Sequence, residues 1–220
     1  MFEATKIVYQ NEDWISTIFI VILFVLALNR VLFHKRVFHI NTVLLSKKYL
    51  LIYFAKEKNK APRLFQISLF FVQLLTLSLV LYFLNYYFQL HEVDPGFKSY
   101  TLIFYGVCMY FFLRYVVGLF LATLFNLRNE HARLSYDKMS YFINLTLWML
   151  PLLVLSVYMN KFQNLLLEIT FTMFVILLSL RYILILQNNK KLIFNNLFYF
   201  ILYLCALEIA PLIIILKLTI

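Results

Sequence analysis

The sequence predicts an all-α integral membrane protein, a bundle of about six transmembrane helices. Of its 220 residues, 64% are hydrophobic and the mean hydropathy is +0.84, whereas soluble domains contain about 45–50% apolar residues. The charged residues, 14% of the chain, cluster between uninterrupted apolar runs of roughly 20 residues, the length that crosses a bilayer as a helix. Strands of a membrane barrel would alternate polar and apolar residues, and these runs do not.

The first predicted helix covers residues 14–33. The residues before it include three acids and one base, Glu3, Glu12, Asp13 and Lys6. A cleavable signal peptide has a basic leader and a small-residue cleavage site. Neither feature is present, so we expect this helix to remain in the mature protein.

The segment that follows, residues 34–63, is the most basic part of the chain, with eight Lys and Arg against Glu57 alone. Its apolar pieces, residues 43–45 and 49–54, are too short to span a bilayer. We predict one or two helices lying in the cytoplasmic headgroup region. The residues expected to contact anionic lipid are Lys35, Arg36, Lys47 and Lys48. Membrane orientation explains the same charges without a selective lipid site.

Five further helices are predicted, at residues 64–88, 100–124, 140–159, 165–186 and 197–216. Residues 89–99 contain the turn-forming pair Pro95 and Gly96, and residues 125–139 are expected to form a polar loop. No linker or change of composition marks a boundary, so we predict one transmembrane domain over residues 1–220.

The distribution of basic residues predicts the orientation of these helices. The segments after the first, third and fifth helices hold eight, three and two Lys and Arg, thirteen in all, against four on the opposite side. The positive-inside rule places the first group in the cytoplasm and both termini outside. The net charge of +10 is thereby explained without nucleic acid, and the expected partners are membrane lipids and other integral membrane proteins.

Two opposite charges, Arg114 and Glu208, fall at similar depths in the third and sixth helices. Each lies about 15 Å from its cytoplasmic helix end at 1.5 Å per residue, where an isolated charge costs about 2.5–3.5 kcal/mol to insert. We predict that they form an intramembrane pair. The pair either fixes helix register or takes part in proton transfer or ligand contact. The surrounding polar pocket is expected to involve Gln73, Gly118 and Pro211.

Three other charges lie near predicted helix ends. Arg30 and Arg181 are expected to extend toward the headgroups. Glu168 is either hydrated or paired with Lys161 or with a neighbouring helix.

A run in the last helix, residues 202–212, reads Leu-Tyr-Leu-Cys-Ala-Leu-Glu-Ile-Ala-Pro-Leu. It resembles the C-terminal signature of an uncharacterised family of multi-spanning inner-membrane proteins from Bacteroidota. The resemblance implies a Gram-negative inner membrane, and it supplies neither an activity nor catalytic residues.

The motifs of common enzyme classes are missing from the sequence. No His-Glu-x-x-His pattern, Gly-x-Ser-x-Gly motif or glycine-rich phosphate loop occurs, and we expect no metal, cofactor or catalytic residue. The leading hypothesis is a non-enzymatic inner-membrane subunit or accessory factor of a cell-envelope complex, in secretion, export or assembly. The alternatives are a small transporter or proton-coupled channel using the Arg114–Glu208 pair, and a membrane enzyme acting on a lipid-linked substrate.

Overall fold

A computed structural model of the chain describes residues 13–41, 60–88, 96–159 and 162–188. These ranges contain helices and turns but no strand. The helices are α1 Asp13–Leu32, α2 His34–Asn41, α3 Lys60–Phe88, α4 Phe97–Leu124, α5 Arg128–Tyr158 and α6 Gln163–Asn188.

All helices except α2 are long and apolar enough to cross a membrane, which makes five candidate spans among the described residues. The expectation of an all-α chain with several membrane-type helices is therefore confirmed at this level. The predicted sixth span, residues 197–216, and both termini lie outside the described residues. Their placement and the orientation of the bundle stay predictions.

The long helices run alternately up and down between two ends of the bundle. At one end, called here the α2 end, lie Leu32, α2, Lys60, Leu124, Arg128 and Asn188. At the other, called the Trp14 end, lie Asp13, Phe88, Phe97, Tyr158 and Gln163. Aromatic rings of Trp14, Tyr82 and Tyr100 pack together at the Trp14 end, with Trp14 centroids 5.2 and 5.3 Å from the two tyrosine rings. Such aromatic clusters are typical of membrane–water interfaces.

Helices α3 and α5 form the centre of the described bundle. Helix α3 packs against α1, α4 and α5, and α5 packs also against α2, α4 and α6. In their most apolar stretches, 56% and 61% of the residues are buried, against 22% in each of α1, α4 and α6. The outer helices therefore present most of their apolar surface outward within the described part of the chain.

Hydroxyl side chains in the two central helices are accommodated by bonds to their own helix. Thr76 and Ser78 donate to the carbonyls of Val72 and Leu74 at 2.9 and 2.7 Å. Ser156 in α5 donates to Leu153 at 2.8 Å. Since the donor is satisfied one turn back, these residues can be fully buried without a partner from another helix.

Two side-chain amides connect helices at or near the α2 end. Ser68 Oγ in α3 donates to Asn29 Oδ1 in α1 at 2.6 Å. Asn144 Nδ2 in α5 donates to the carbonyl of Ile40 in α2 at 2.7 Å. Asn29 and Asn144 are both buried, so these bonds hold α1 and α2 against the central pair.

Helix α5 begins at Arg128, so most of the expected polar loop of residues 125–139 is helical. The polar residues His131, Asp137 and Lys138 are buried, together with Leu134. Their spacing of three, four and seven residues places them on the side of α5 that faces the other helices. Many of these residues are polar because the first turns of α5 carry a buried polar face. The polar sequence does not mark a loop.

The turn between α4 and α5 is only three residues long. Asn126 adopts a left-handed conformation with φ of 55°. The Leu127 amide donates to the Ala122 carbonyl at 2.9 Å, and the Asn126 amide donates to Thr123 at 3.3 Å. This is the Schellman arrangement, in which asparagine replaces the usual glycine.

The basic segment of residues 34–63 is described only at its two ends. Its first residues form α2, directly after a one-residue break at Phe33, and residues 60–63 begin α3. Residues 42–59 lie outside the described residues. The predicted position of this segment in the headgroup region stays a prediction.

Candidate functional site

A cavity of about 570 Å³ lies among α3, α4, α5 and α6, in the half of the bundle nearer the α2 end. Its volume is in the range of small-ligand sites in proteins. The described apolar lining is Phe70, Leu74, Cys108, Phe111, Phe112, Tyr115, Met139 and Phe142. The described polar lining is Gln73, Arg114, His131, Ser135, Lys138 and Arg181.

Arg114 enters the cavity from α4. Its Nη1 donates to the hydroxyl of Tyr110, one turn back, at 3.5 Å. Gly118, one turn further along, is buried but is not among the described lining residues. The predicted partner Glu208 and Pro211 both lie outside the described residues, so the Arg114–Glu208 pair stays a prediction.

Arg181 enters from α6 and is only 6% exposed. Its guanidinium carbon lies 4.5 Å from the centroid of the Phe142 ring, and its Nη2 donates to the backbone carbonyl of Lys138 at 3.3 Å. The expectation that this arginine extends to the headgroups was wrong. The ring face and the carbonyl of α5 provide a polar environment for the cation inside the bundle.

Helix α5 contributes His131, Ser135 and Lys138, which are spaced by four and three residues and so share one face. His131 Nε2 lies 3.3 Å from Ser135 Oγ, and Lys138 is 8% exposed. Sequence reasoning missed these residues because it assigned them to a loop. The sequence feature that could have placed them in a helix is their helical spacing relative to the apolar residues Leu134 and Phe142.

Gln73 enters from α3 and is 1% exposed. No donor among the described residues reaches its Oε1. The structure thus brings Gln73, which was predicted for the polar pocket, and Arg114, which was predicted for the charge pair, to one cavity. A buried amide oxygen without a donor costs about 1–3 kcal/mol.

Of the residues predicted to contact anionic lipid, only the side chain of Arg36 is described. It is half-buried, and its guanidinium carbon lies 6.0 Å from the Phe65 ring centroid. The predictions for Lys35, Lys47 and Lys48 fall outside the described side chains.

The remaining described membrane charges are placed as follows. Arg30 is exposed, and its extension toward the headgroups stays a prediction. Glu168 has a partner on a neighbouring helix, because Tyr87 of α3 donates to its Oε1 at 2.8 Å. Among the described residues, no three His, Cys, Asp or Glu side chains lie together as a metal site requires.

A family model described as a domain of unknown function (DUF4271) matches residues 15–219. The chain belongs to this family. The match includes the described bundle and the C-terminal run around Glu208. No curated protein and no solved structure matches the chain. The family description carries no activity, so the function of this DUF4271 protein has to be argued from its own residues.

In this DUF4271 protein, the cavity combines three cationic side chains with an aromatic wall. None of its described lining residues is a carboxylate. Guanidinium and ammonium groups donate charge-assisted hydrogen bonds, while the wall offers apolar contacts. The cavity therefore presents charged donors and an apolar surface side by side.

Proposed function

We propose that this protein is a non-enzymatic, multi-pass inner-membrane subunit or accessory factor of a bacterial cell-envelope complex that serves secretion, export or assembly. The observation that carries the proposal is the outward face of α4. Leu102, Gly106, Met109 and Leu113 follow one another at helical spacing on this face, and all four are exposed. The exposed fractions of Leu102 and Met109 are 68% and 57%.

Gly106 leaves an open space in the middle of this exposed face. A Cβ added at Gly106 would meet no atom within 4 Å, so the described chain does not use the space. Glycine in a helix interior costs about 0.8–1 kcal/mol relative to alanine. In membranes, small residues on a helix face allow another helix to approach closely. We infer that a helix of a partner protein packs over Gly106.

The first test is purification of the tagged protein from native membranes in a mild detergent, followed by mass spectrometry of co-purifying proteins. Gly106→Phe should reduce the stoichiometric partner at least tenfold, because the ring fills the space that the partner helix needs. Val175→Phe is the matched control, since Val175 is 60% exposed on α6 and the same ring is added elsewhere. A wild-type protein that purifies without a partner, or a partner unaffected by Gly106→Phe, would refute the proposal.

A photoactivatable residue at Met109 identifies what covers the face. Crosslinks to a second polypeptide support the proposal. Crosslinks only to lipid, or only to residues 189–220 of the same chain, contradict it. The three outcomes are separated by the mass of the crosslinked product, which gains a polypeptide, gains a lipid or stays that of one chain.

A second candidate function is a small transporter or proton-coupled channel that uses Arg114 and Glu208. The observation that favours it is the position of Arg114 on the wall of a cavity between helices, since ionisable groups inside a membrane often mark ion pathways. Glu208→Gln should abolish proton uptake by proteoliposomes containing the purified protein. Uptake equal to that of the wild type would exclude this version.

A further inference from the structure

We propose that the partner helix on the outer face of α4 inserts a large apolar side chain into a hole at Gly106 and places a carboxylate beside Lys98. The partner is thus a transmembrane segment with an acidic residue near its end at the Trp14 end of the bundle. This inference rests on the partner proposed above and specifies the two contacts by which that partner is recognised.

Gly106 is the floor of a hole in the exposed surface of α4. Leu102, Tyr105 and Met109 surround it, so that the four residues have the spacing i, i+3, i+4 and i+7. This is the set of positions that receives one side chain of a facing helix. The three surrounding side chains are 68%, 72% and 57% exposed, and a Cβ at Gly106 would meet no atom within 4 Å. The hole therefore has large side chains as its walls and open space at its base.

The size of these walls determines what fills the hole. In Gly-x-x-x-Gly pairs of membrane helices, small residues four positions apart let two backbones come into contact. The residues four positions from Gly106 are Leu102 and Tyr110, which keep a second backbone at a distance. A small side chain on the partner would leave a void, whose lining loses its dispersion contacts. A side chain of the size of leucine or phenylalanine fills the hole.

Lys98 provides the second contact. It is exposed and lies one turn before Leu102 and two turns before Gly106, so the three residues share one face of α4. The first turn of α4 contains no acidic residue, although the positive end of a helix dipole favours anions. A carboxylate of the partner pairs with the ammonium group and also interacts favourably with this helix end.

The distance between the two contacts defines the partner further. Lys98 lies eight residues before Gly106, which is about 12 Å along the helix axis. The carboxylate of the partner therefore lies about eight residues from the large apolar side chain, if the two helices run side by side. A lipid with its phosphate at Lys98 is the alternative occupant. A lipid does not hold an apolar group at a fixed distance from its charge, whereas a helix does.

A carbodiimide joins an amine directly to a carboxylate in contact with it and so tests the charge pair in native membranes. Treatment of the wild type should link Lys98 to an Asp or Glu of the co-purifying partner, and mass spectrometry of the linked peptides identifies both residues. Arg133→Gln, which removes a cation from an exposed position on α5, should give the same product. A captured partner without this link, or linkage of Lys98 only to an acid of its own chain such as Asp13, would overturn the proposal.

The amount of captured partner measures the contribution of the charge. Lys98→Gln should lower it about two- to fivefold, as expected for an exposed ion pair. Lys98→Glu should lower it by roughly tenfold or more, because like charges then oppose each other. Arg133→Gln is the matched control and should leave the amount unchanged. Replacing the linked acid of the partner by lysine should restore capture by Lys98→Glu. Equal capture by Lys98→Glu and Arg133→Gln would contradict the charge pair.

An exchange of side-chain sizes between the two helices tests the hole. The photocrosslink from Met109 locates the partner segment, and its large apolar residue at that depth is replaced by alanine. The alanine form should be captured several times less well by the wild type. Gly106→Leu should capture the alanine form better than the unchanged partner, because the added side chain fills the void. If Gly106→Leu captures both forms equally, no partner side chain occupies the hole.

The outcomes separate this inference from the proposed function. A wild type that purifies without a partner, or that crosslinks from Met109 only to lipid, would refute both. A partner that is lost from Gly106→Phe but is captured equally by Lys98→Glu and the wild type would leave the proposed function standing. That result would overturn the recognition by Lys98 alone.

Discussion

Arg181 lies with its guanidinium carbon 4.5 Å from the ring centroid of Phe142, across the contact between α6 and α5. The same arginine donates to the carbonyl of Lys138, one turn earlier on α5. A residue expected to reach for the membrane surface is thus held inside the bundle. The contact fixes one wall of the cavity and connects the two helices that carry two of its three cations.

The Arg181–Phe142 contact should appear as a coupling energy. Phe142→Leu is expected to destabilise the wild type by about 1–3 kcal/mol, through lost packing and a lost cation–π contact. In an Arg181→Met background the same change should cost about 0.5–2 kcal/mol less, since the cation is already absent. Unfolding in mixed detergent micelles measures both values. Identical costs in the two backgrounds would show that the ring and the cation do not interact energetically.

The Asn29–Ser68 bond should contribute measurably to the packing of α1 on α3. Ser68→Ala removes the donor to a buried amide oxygen and should cost about 1 kcal/mol, in the range measured for hydrogen bonds between membrane helices. Ser179→Ala is the control, because Ser179 is exposed and donates only to Val175 of its own helix. Equal stability of the two variants would argue against a role for this bond.

The left-handed turn at Asn126 predicts opposite effects for two substitutions. Asn126→Val should destabilise the protein by about 1–2 kcal/mol, because a β-branched residue does not tolerate a φ of 55°. Asn126→Gly should have little effect or be slightly stabilising, since glycine adopts this conformation freely. Thermal unfolding of both variants gives the comparison. If the valine variant is as stable as the glycine variant, Asn126 does not adopt the left-handed conformation in this turn.

The bond between Asn144 and the Ile40 carbonyl should keep α2 against α5. Asn144→Leu removes the donor at 2.7 Å and should increase tryptic cleavage after Arg36 severalfold under native conditions. Asn129→Leu, an exposed change on the same helix, is the control for non-specific loosening. Mass spectrometry of the fragments identifies the cleaved bond. If cleavage after Arg36 is the same in all three proteins, Asn144 does not anchor α2.

Much of the fold followed from hydrophobicity and length, whereas the arrangement of the site did not. The five described spans follow from apolar runs between charge clusters, and the similar depth of Gln73 and Arg114 followed from counting residues along helices. The rotation of each helix could not be predicted in this way. Helices α1, α4 and α6 are apolar on nearly every face, so no periodic pattern tells which residues face a neighbour.

The residues missed by sequence reasoning have one physical cause. Polar residues such as His131 and Lys138 suggested a loop because a membrane helix was expected to be apolar throughout. Both residues are instead buried in α5, and His131 lies 3.3 Å from Ser135 on the same helix, so the helix continues through them. The prediction for Arg181 failed because its contact is distant in sequence. The Phe142 ring that it contacts lies 39 residues earlier in the chain, so the local sequence pattern does not reveal the contact.

Photo-crosslinking from Met109 in native membranes tests the exposed face of α4 most directly. The protein should crosslink to a second polypeptide, Gly106→Phe should abolish that product, and Val175→Phe should keep it. A product that contains only lipid or only this chain, or equal yields from Gly106→Phe and Val175→Phe, would contradict a partner helix on this face.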